Sequence, residues 1–457
     1  MTSFDAIIIG AGQAGPSLAG RLTGAGMKVA LIERHLFGGT CVNTGCMPTK
    51  TLVASAYAAR VAQRAAEYGV MLSGPATIDM KTVSARAQTV STNARNGVEK
   101  WLRGMANCTV YHGHAKFEGP KVVRVDDEQL TAPRIFINVG GRAFVPDMPG
   151  VHDVPYLTNT TIIPLTEIPR HLVVVGGSYI GLEFAQMYRR FGSEVTIVEM
   201  SSRLISREDL DISQAIKGIV EAEGIKVRTD ATCISLEKHP EGVSVSVDCT
   251  HGDPEVVGSH VLLAVGRTPN TSDLGLEAAG VRTDNKGYIP VDDSLQTNVE
   301  GIWAMGDCNG RGAFTHTSYN DFEIVAANLL DGDQRKVSDR VPAYALYIDP
   351  PLGRVGMTET QARATGKKLL TATRPMTRVG RAVEKGETQG FMKVAVDADT
   401  KKILVAAGAE DGGDEAIHGL LDIINAGVTY DVLKWAVPIH PTVSELIPTL
   451  LGDLKPA

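Results

Sequence analysis

Aromatic side chains are scarce in this chain of 457 residues, and it has no long apolar run and no excess of positive charge. Phe, Trp and Tyr make up only 5% of the residues, so a surface that stacks nucleic-acid bases is not expected. The formal net charge of -7 argues against nucleic acid and acidic membranes as main partners. No apolar run approaches the roughly 20 residues that span a bilayer, and the apolar N-terminal stretch lacks the positive flank of a signal peptide. We therefore expect a cytoplasmic protein with neither a nucleic-acid nor a membrane partner.

Cysteine is also rare, with six in the whole chain. A close pair in a cytoplasmic protein is more often catalytic or metal-binding than part of a structural framework. Cys41 and Cys46 form such a pair in the stretch GGTCVNTGCMPTK. Residues 48–68 predict a helix, and bridging the pair needs a distorted turn, which Gly45 permits. Lys50 lies one helical turn past Cys46 and would favour its thiolate. The pair predicts a redox site without a resident metal; two buried, inert cysteines are the alternative.

A strand–glycine turn–helix–strand pattern occupies the first 33 residues. A β-branched run at 4–9 leads into GAGQAG, a helix to about residue 26, and a second strand at 28–32. Such glycines allow a tight turn and let a pyrophosphate approach a helix N-terminus, and the acid after the second strand can accept from ribose hydroxyls. The alternative is a Gly-rich turn with a surface Glu. The predicted dinucleotide contacts are Gly10, Gly12, Gly15 and Glu33.

With that unit before it, GGTCVNTGCMPTK resembles the redox-disulfide signature of the class I pyridine nucleotide-disulfide oxidoreductases. This family includes lipoamide dehydrogenase, glutathione reductase, mercuric reductase and the reactive-chlorine-resistance flavoproteins. The resemblance implies that the first unit binds FAD and that Cys41 is the interchange thiol that attacks substrate. It implies that Cys46 is the charge-transfer thiol against the flavin and that Lys50 lies near flavin N5. Gly39 and Thr40 are assigned to the same FAD site.

The whole pattern repeats about 165 residues further on, and two such units are far more specific than one. A strand at 171–175 precedes GGSYIG and a helix, and a strand at 194–198 ends at an acid. Glu199 would accept from the 2′-OH of NADH and repel a 2′-phosphate, so NADH is the expected donor. NADPH is the alternative, because Ser201, Arg203 and Arg207 follow. The predicted nicotinamide-dinucleotide contacts are Gly176, Ser178, Gly181 and Glu199, with Gly266 in AVGRTPN, where the chain leaves the NAD domain.

Three further residues take roles that the resemblance implies. Tyr179 stands where family members carry a gate over the nicotinamide pocket; a packing aromatic is the alternative. Glu183 would pair with Lys50, the alternative being a solvated Glu on a helix surface. Asp307, in GIWAMGDC, belongs to a second FAD fingerprint and would hydrogen-bond the ribityl chain, whereas Cys308 beside it is expected to be structural.

Near the C-terminus, IHPTVSE places His440 five residues before Glu445. Histidine titrates near neutrality and suits the proton of an outgoing thiol, and an acid can fix its tautomer. In the family this pair comes from the partner subunit and completes the active site of a homodimer. Thr442 and Glu445 also match a capping box, so the spacing alone leaves both roles of Glu445 open.

The length predicts about three domains. We expect an α/β fold with two Rossmann-like dinucleotide-binding domains, for FAD and NAD(P), and a C-terminal α+β dimerisation domain whose strands include 341–348, 390–396 and 403–409. The predicted limits are 1–146 with 267–337 for the FAD domain, 147–266 for the NAD(P) domain and 338–457 for the dimerisation domain.

The predicted function is transfer of electrons from NAD(P)H through FAD to the Cys41–Cys46 disulfide and on to an external acceptor. The acceptor would be a disulfide, a soft metal ion such as Hg(II) or Cu(II), or another small molecule, since thiolates prefer soft metals. The wording VGMTETQA and IHPTVSELIPTLL favours the mercuric-reductase-like and reactive-chlorine-resistance group, although mercuric reductases usually add a C-terminal cysteine pair and no cysteine follows Cys308. Dihydrolipoamide dehydrogenase is one alternative. A flavoprotein redox sensor or complex subunit that does not turn over is another.

Overall fold

The computed structural model describes residues 1–248 and 253–457. Within these ranges the helices are α1 (Ala14–Gly24), α2 (Gly39–Asn43), α3 (Cys46–Gln63), α4 (Met80–Gly104), α5 (Asn159–Ile162), α6 (Tyr179–Phe191), α7 (Leu210–Ala222), α8 (Leu276–Ala279), α9 (Thr315–Ala326), α10 (Glu359–Ala364), α11 (Gly380–Lys385), α12 (Gly413–Ala426), α13 (Asp431–Lys434) and α14 (Ile447–Gly452).

The strands in the same ranges are β1 (Thr2–Ser3), β2 (Ala6–Ile9), β3 (Val29–Glu33), β4 (Cys108–His112), β5 (Ala115–Gly119), β6 (Val122–Val125), β7 (Glu128–Thr131), β8 (Arg134–Ile137), β9 (Gly141–Ala143), β10 (His171–Val175), β11 (Glu194–Val198), β12 (Lys226–Arg228), β13 (Thr232–His239), β14 (Gly242–Asp248), β15 (Glu255–Gly258), β16 (His260–Leu263), β17 (Arg267–Pro269), β18 (Ile302–Ala304), β19 (Ala343–Leu346), β20 (Leu352–Gly356), β21 (Leu369–Pro375), β22 (Phe391–Asp397), β23 (Ile403–Ala409) and β24 (Lys455–Pro456).

The first nucleotide unit is built on a five-stranded parallel sheet in the order β18-β8-β2-β3-β4. Its central strand β2 reads AIII and is buried along its whole length, as a parallel strand covered on both faces should be. Helix α1 connects β2 to β3, and Glu33 is the last residue of β3. The predicted strand–turn–helix–strand order is therefore confirmed.

The second unit is a four-stranded parallel sheet in the order β12-β11-β10-β16. Helix α6 connects β10 to β11, so the connectivity repeats that of the first unit. The chain enters this part after β9 and leaves it at β17, and those two strands pair antiparallel, with Ala143 opposite Arg267. The second unit is thus inserted into the first.

The C-terminal part is a six-stranded antiparallel sheet in the order β19-β20-β23-β22-β21-β24. Helices α12 and α14 pack on it through Ile417, Leu420, Leu450 and Leu451. The fold class is therefore as predicted: α/β, with two dinucleotide-type units followed by an α+β domain. The domain limits given above stay predictions.

Several predicted elements are shorter in the structure. The helix predicted at 48–68 ends at Gln63, and a short 3-10 turn at Ala65–Tyr68 finishes at Gly69 in the left-handed conformation (φ +75°). The strand predicted at 341–348 is only Ala343–Leu346, because Pro342 before it has no N–H to donate. Among the described residues, none of the helices is both long enough and apolar enough for a bilayer crossing.

One packing contact decides where the site forms. Helix α3 of the first unit lies against helix α6 of the second, and Leu52 and Ala56 share an apolar core with Leu182 and Phe184. Helix α3 begins at Cys46, and helix α6 begins at the second glycine turn. This contact therefore brings the start of α6 to the start of α3.

Candidate active site

A cavity of about 1130 Å³ runs from the first glycine turn to the cysteine pair and on to the start of α6. Drug-sized ligands occupy clefts of about 300–1,000 Å³, so this one suits a dinucleotide. Seven of the predicted FAD contacts line it: Gly10, Gly12, Glu33, Gly39, Thr40, Lys50 and Asp307.

The first glycine turn leaves no room for side chains. Gly10 has φ +107°, and a Cβ there would lie 2.3 Å from Asn138 O. A Cβ on Gly15 would lie 2.2 Å from Gly10 O. Gly15 does not line the cavity, so the structure gives it a packing role: it lets α1 start against the turn. The resulting bare backbone at a helix N-terminus is the cradle that a pyrophosphate requires.

Glu33 holds this turn in place. Its Oε2 accepts a hydrogen bond from Ala11 N at 2.8 Å, and its Oε1 accepts one from His35 N at 2.8 Å. Each carboxylate oxygen has a second lone pair, so both can also accept from a ribose hydroxyl. The residue that was predicted to bind ribose therefore also ties the glycine turn to β3.

The Asp307 side chain is 24% exposed and lines the same cavity, and its partial burial raises the pKa of the carboxyl group, an effect that Arg267 opposes. Arg267 Nε lies 3.6 Å from Asp307 Oδ2, and its guanidinium also donates to Gly141 O. Gly266, directly before it, has φ +137°, a conformation that favours glycine. Gly266 does not line the cavity; it directs the chain so that Arg267 does.

The cysteine pair spans the break between α2 and α3. Cys41 lies in α2 and Cys46 is the first residue of α3, and a Cβ on Gly45 would lie 2.8 Å from Thr40 O. The distorted turn predicted from Gly45 is present. Both cysteines are free thiols and line the cavity.

The two thiols differ in acidity. A hydrogen bond from Cys41, helped by Thr315 and Lys50, lowers the pKa of Cys46 to about 6 against the opposing effect of burial. The same hydrogen bond and burial raise the pKa of Cys41. Thr315 Oγ1 lies 3.2 Å from Cys46 Sγ. In the dithiol form Cys46 is the thiolate near neutral pH and Cys41 keeps the proton.

Lys50 and Glu183 form the predicted pair. Lys50 Nζ lies 2.7 Å from Glu183 Oε2, and Glu183 is only 6% exposed, which contradicts the alternative of a solvated surface Glu. Glu183 Oε1 accepts from Tyr347 N at 3.0 Å, and the Lys50 ammonium lies 4.5 Å from the centre of the Tyr347 ring. The C-terminal domain thus helps to fix this ion pair.

The second glycine turn repeats the first. Gly176 has φ +113° and a Cβ there would lie 2.5 Å from Ala264 O, while a Cβ on Gly181 would lie 2.0 Å from Gly176 O. Glu199 Oε2 accepts from Gly177 N at 2.6 Å and its Oε1 accepts from Ser201 N at 2.7 Å.

Ser178 and Arg203 distinguish the second turn from the first. Ser178 is exposed and its side chain does not cap α6. Arg203 Nη2 donates to Ser206 O at 3.0 Å, so this guanidinium already has a backbone partner.

Tyr179 stands at the start of α6 and lines the cavity. Its ring meets Phe314 and Tyr344 edge-on, with centroids 6.2 and 5.7 Å away. Its hydroxyl donates to Glu208 Oε1 at 3.3 Å. The packing contacts of the alternative are therefore present, and the gate role stays a prediction.

His440 and Glu445 contact each other but lie apart from the cavity. His440 Nδ1 is 3.0 Å from Glu445 Oε2, and Glu445 also makes the capping-box contacts with Thr442 N and Oγ1, at 3.4 and 3.2 Å. Both sets of contacts are therefore present, and the catalytic role of the pair stays a prediction. The His440 side chain is 80% exposed, and neither His440 nor Glu445 is among the described residues that line the cavity.

Comparison with known proteins agrees with this geometry. The family model described as pyridine nucleotide-disulphide oxidoreductase matches residues 4–321, and that of its dimerisation domain matches residues 342–451. The chain belongs to the pyridine nucleotide-disulfide oxidoreductase family. It is 36% identical to the probable pyridine nucleotide-disulfide oxidoreductase RclA of Escherichia coli (strain K12), covering 100% of both chains. It is 34% identical to mercuric reductase of Streptomyces lividans, over 98% of this chain and 95% of that one. A solved structure, the Cu(II) complex of HOCl-induced flavoprotein disulfide reductase RclA from Escherichia coli, matches it with a TM-score of 0.89 and 35% identity over 99% of each chain.

Pyridine nucleotide-disulfide oxidoreductases depend on FAD and use a pyridine nucleotide, and this chain is an oxidoreductase of that kind. Three features fit FAD: the bare backbone at Gly10, the two free acceptor positions of Glu33, and the partly buried Asp307 beside Arg267. Within residues 1–248 and 253–457 no cluster of three or more His, Cys, Asp or Glu side chains is arranged to hold a metal ion.

Four residues at the site of this pyridine nucleotide-disulfide oxidoreductase were not predicted from the sequence. Thr315 could have been found, because it opens the helix that follows the GIWAMGDC motif. Arg267 lies in the recognised motif AVGRTPN. No local sequence pattern indicates its contact with Asp307, which lies 40 positions later. Tyr347 and Glu208 reach the site only through tertiary packing. These residues are Thr315, Arg267, Tyr347 and Glu208.

Proposed function

We propose that this chain is an FAD-dependent, NADH-preferring reductase that passes electron pairs through Cys41 and Cys46 to a soft metal ion, Cu(II) or Hg(II), or to a small disulfide. The observation that carries the proposal is the unequal acidity of the two thiols inside a dinucleotide-sized cavity. The chemistry that FAD would supply when bound is two-electron transfer from the nicotinamide to the disulfide. Gly10, Gly12, Gly39, Thr40, Glu33 and Asp307 would hold it.

The two cysteines and the residues around them would have different roles in the reaction. Cys46, as the thiolate, would face the flavin, with Lys50 and Thr315 stabilising its charge. Cys41 keeps its proton until a base removes it, and would then be the thiol that attacks or binds the acceptor. Closing the Cys41–Cys46 disulfide releases two electrons, enough for one Hg(II) or for two Cu(II) reduced to Cu(I).

We further propose that the enzyme is a homodimer. In one chain His440 is exposed, and the side chains beside it, Trp435, Val437 and Ile439, are 76–96% exposed. Apolar side chains this exposed mark an interface. His440 of the partner subunit, oriented by Glu445 of the partner subunit, would then take the proton from Cys41. We also propose that the enzyme acts in the cytoplasm, the compartment in which thiols are kept reduced.

NADH preference rests on Glu199, whose carboxylate lies at the end of β11 where the adenosine ribose is expected. A negative charge at this position disfavours a 2′-phosphate. Lipoamide reduction remains the second candidate activity, because the thiol pair is common to the family.

The test is an acceptor panel with the holoenzyme: Cu(II), Hg(II), lipoamide, oxidised glutathione and oxygen, each with NADH and with NADPH. We expect fastest multiple turnover with NADH and a soft metal ion. We expect Cys46→Ala to lower that rate by at least about 100-fold, since thiolate chemistry is lost, and Cys108→Ala, on β4 outside the cavity, to match the parent. Full turnover by Cys46→Ala would contradict the proposal, fastest turnover with lipoamide would favour the second candidate, and a single reduction without turnover would favour a sensor.

A further inference from the structure

Glu208 is a buried acid that the dinucleotide and thiol chemistry does not use. It lies between α6 and α7 in the second unit, and its side chain is fully buried. Its Oε2 lies 2.5 Å from Nη2 of Arg354, a residue of β20 that is also fully buried. Close pairing with a guanidinium offsets part of the cost of burying a carboxylate. Asp209 is the other acid near Arg354, at 3.6 Å.

The second oxygen of Glu208 accepts from two tyrosines. Tyr344 in β19 donates to Oε1 at 2.6 Å, and Tyr179 donates to the same oxygen at 3.3 Å. Burial, with Glu208 contributing, raises the pKa of both hydroxyls, so both remain protonated donors. The two contacts differ in strength, because hydrogen bonds weaken with length. Tyr344 is held firmly and Tyr179 loosely.

This arrangement joins three parts of the chain at the entrance for nicotinamide. Tyr179 follows the second glycine turn directly, and Tyr344 stacks on Phe314 with ring centroids 5.6 Å apart. A nicotinamide that extends from the glycine turn of the second unit towards the flavin must pass the Tyr179 ring, which lines the same cavity as Lys50 and Glu183.

We propose that Glu208, fixed by Arg354 and Tyr344, is a positioning residue that latches the Tyr179 gate shut in the absence of nicotinamide. The inference rests on the proposed function, in which a nicotinamide dinucleotide binds the second unit. When nicotinamide enters, Tyr179 gives up one long hydrogen bond, while Glu208 keeps its ion pair with Arg354 and its hydrogen bond from Tyr344. The gate can therefore open without leaving a buried charge unpaired.

The test uses the oxidised holoenzyme and two ligands, NAD⁺ and ADP-ribose, with dissociation constants measured by calorimetry. ADP-ribose lacks the nicotinamide and does not need the gate to open, so the ratio of the two constants isolates the latch. Tyr179→Phe removes the latching hydroxyl and should favour NAD⁺ over ADP-ribose by about three- to tenfold, the range expected for one long hydrogen bond to a charged group.

Tyr344→Phe should change the ratio in the opposite direction. Without its stronger donor, Glu208 Oε1 is left to Tyr179 alone, the latch tightens, and NAD⁺ binding weakens relative to ADP-ribose. General loosening of the site would shift both variants the same way. Tyr188→Phe is the matched control: it removes another buried hydroxyl from α6, one that donates to Ile162 O at 3.1 Å away from the gate, and should leave the ratio unchanged.

Glu208→Gln completes the cycle. The glutamine is a weaker acceptor, so in the parent this substitution should strengthen NAD⁺ binding relative to ADP-ribose binding. In the Tyr179→Phe background it should leave the ratio of the two dissociation constants unchanged. Three outcomes would overturn the inference. The effects of Glu208→Gln and Tyr179→Phe on the ratio could add, Tyr179→Phe and Tyr344→Phe could shift the ratio in the same direction, or a substitution could change the dissociation constants of both ligands equally. If Glu208→Gln fails to fold, the two tyrosine variants still decide. Failure of the proposed function would differ: the parent itself would bind neither ligand and NADH would not bleach its flavin.

Discussion

The two dinucleotide units of this chain have nearly the same turn geometry. The first glycine has φ +107° in one and +113° in the other, and a Cβ on the last glycine would lie 2.2 or 2.0 Å from a carbonyl oxygen. In both, the acid at the end of the second strand accepts two backbone N–H bonds, from the turn and from two residues further on. The acid is therefore part of the turn in each unit, besides being the predicted ribose contact.

What differs is the segment that follows each acid. After Glu33 the chain returns to the turn: a Cβ on Gly39 would lie 2.8 Å from Gly12 Cα, and the cysteines follow directly. After Glu199 the chain also returns to the turn, where Ile205 N donates to Gly177 O at 2.9 Å, but its next residues supply Glu208, which accepts from Tyr179. The same scaffold therefore carries the cysteine pair after the first acid and Glu208 after the second. The middle glycine is kept only in the first unit, where Gly39 covers that position.

The largest effects should come from the last glycine of each turn. Gly15→Ala and Gly181→Ala both drive a Cβ into a carbonyl oxygen, which must displace a helix start. We expect Gly15→Ala to lose FAD and to lower the melting temperature by at least about 10 °C, as for a destabilisation of several kcal/mol. Gly181→Ala should keep FAD but lose NAD⁺ binding, which flavin absorbance and calorimetry would separate.

The control for this pair is Gly24→Ala at the end of α1, where a Cβ would meet nothing within 4 Å. It should retain both FAD and NAD⁺ binding. If Gly15→Ala and Gly181→Ala lost the same ligand, the two units would not be the independent sites that their separate sheets indicate.

A smaller effect should distinguish the two acids. Glu199→Gln removes the charge that repels a 2′-phosphate, and should improve NADP⁺ binding relative to NAD⁺ by at least about tenfold, the effect of relieving one like-charge contact. The measurement is the ratio of the two dissociation constants. Glu194→Gln, at the exposed start of the same strand, should leave the ratio as it is. An unchanged ratio in Glu199→Gln would remove the structural basis for NADH preference.

The acidity of Cys46, in the thiol segment of the first unit, can be tested by measuring its reactivity as a function of pH. The pKa of Cys46 is lowered to about 6, so its thiolate is present above that pH and is lost as the pH falls through it. Alkylation of Cys46 in the reduced holoenzyme, followed by mass spectrometry, should rise with a midpoint near pH 6. Thr315→Val removes one hydrogen bond to the thiolate and should move the midpoint upward by less than about one unit.

Thr89→Val is the control for that titration, because the Thr89 hydroxyl donates to Ala85 O on an exposed face of α4. It should titrate like the parent. A midpoint of Thr315→Val that stayed in place would mean that Lys50 and Cys41 set the acidity alone.

Much of this comparison could be predicted from the sequence, because it depends on local patterns. The glycine turns, the acids and the Cys41–Cys46 pair each occupy fewer than 35 consecutive residues, and their spacing follows from strand and helix geometry. The pairing of Lys50 with Glu183 needed the family resemblance, since the contact depends on α3 packing against α6. Glu208 and Tyr344 are 136 positions apart, and only the tertiary fold brings them to one oxygen.

The smallest effect should come from the one fingerprint glycine that the two turns do not share, Gly12 in the first and Ser178 in the second. Ser178 is exposed, its side chain makes no cap hydrogen bond, and its φ of -108° is open to any residue. Ser178→Gly should therefore change stability by no more than about 0.5 kcal/mol and NAD⁺ affinity by less than about twofold. The reciprocal Gly12→Ser places its Cβ 3.3 Å from Asn138 Nδ2, under the approach of Gly39. It should weaken FAD retention clearly more than Ser178→Gly weakens NAD⁺ binding, and equal effects would show that the returning chain does not select glycine at this position.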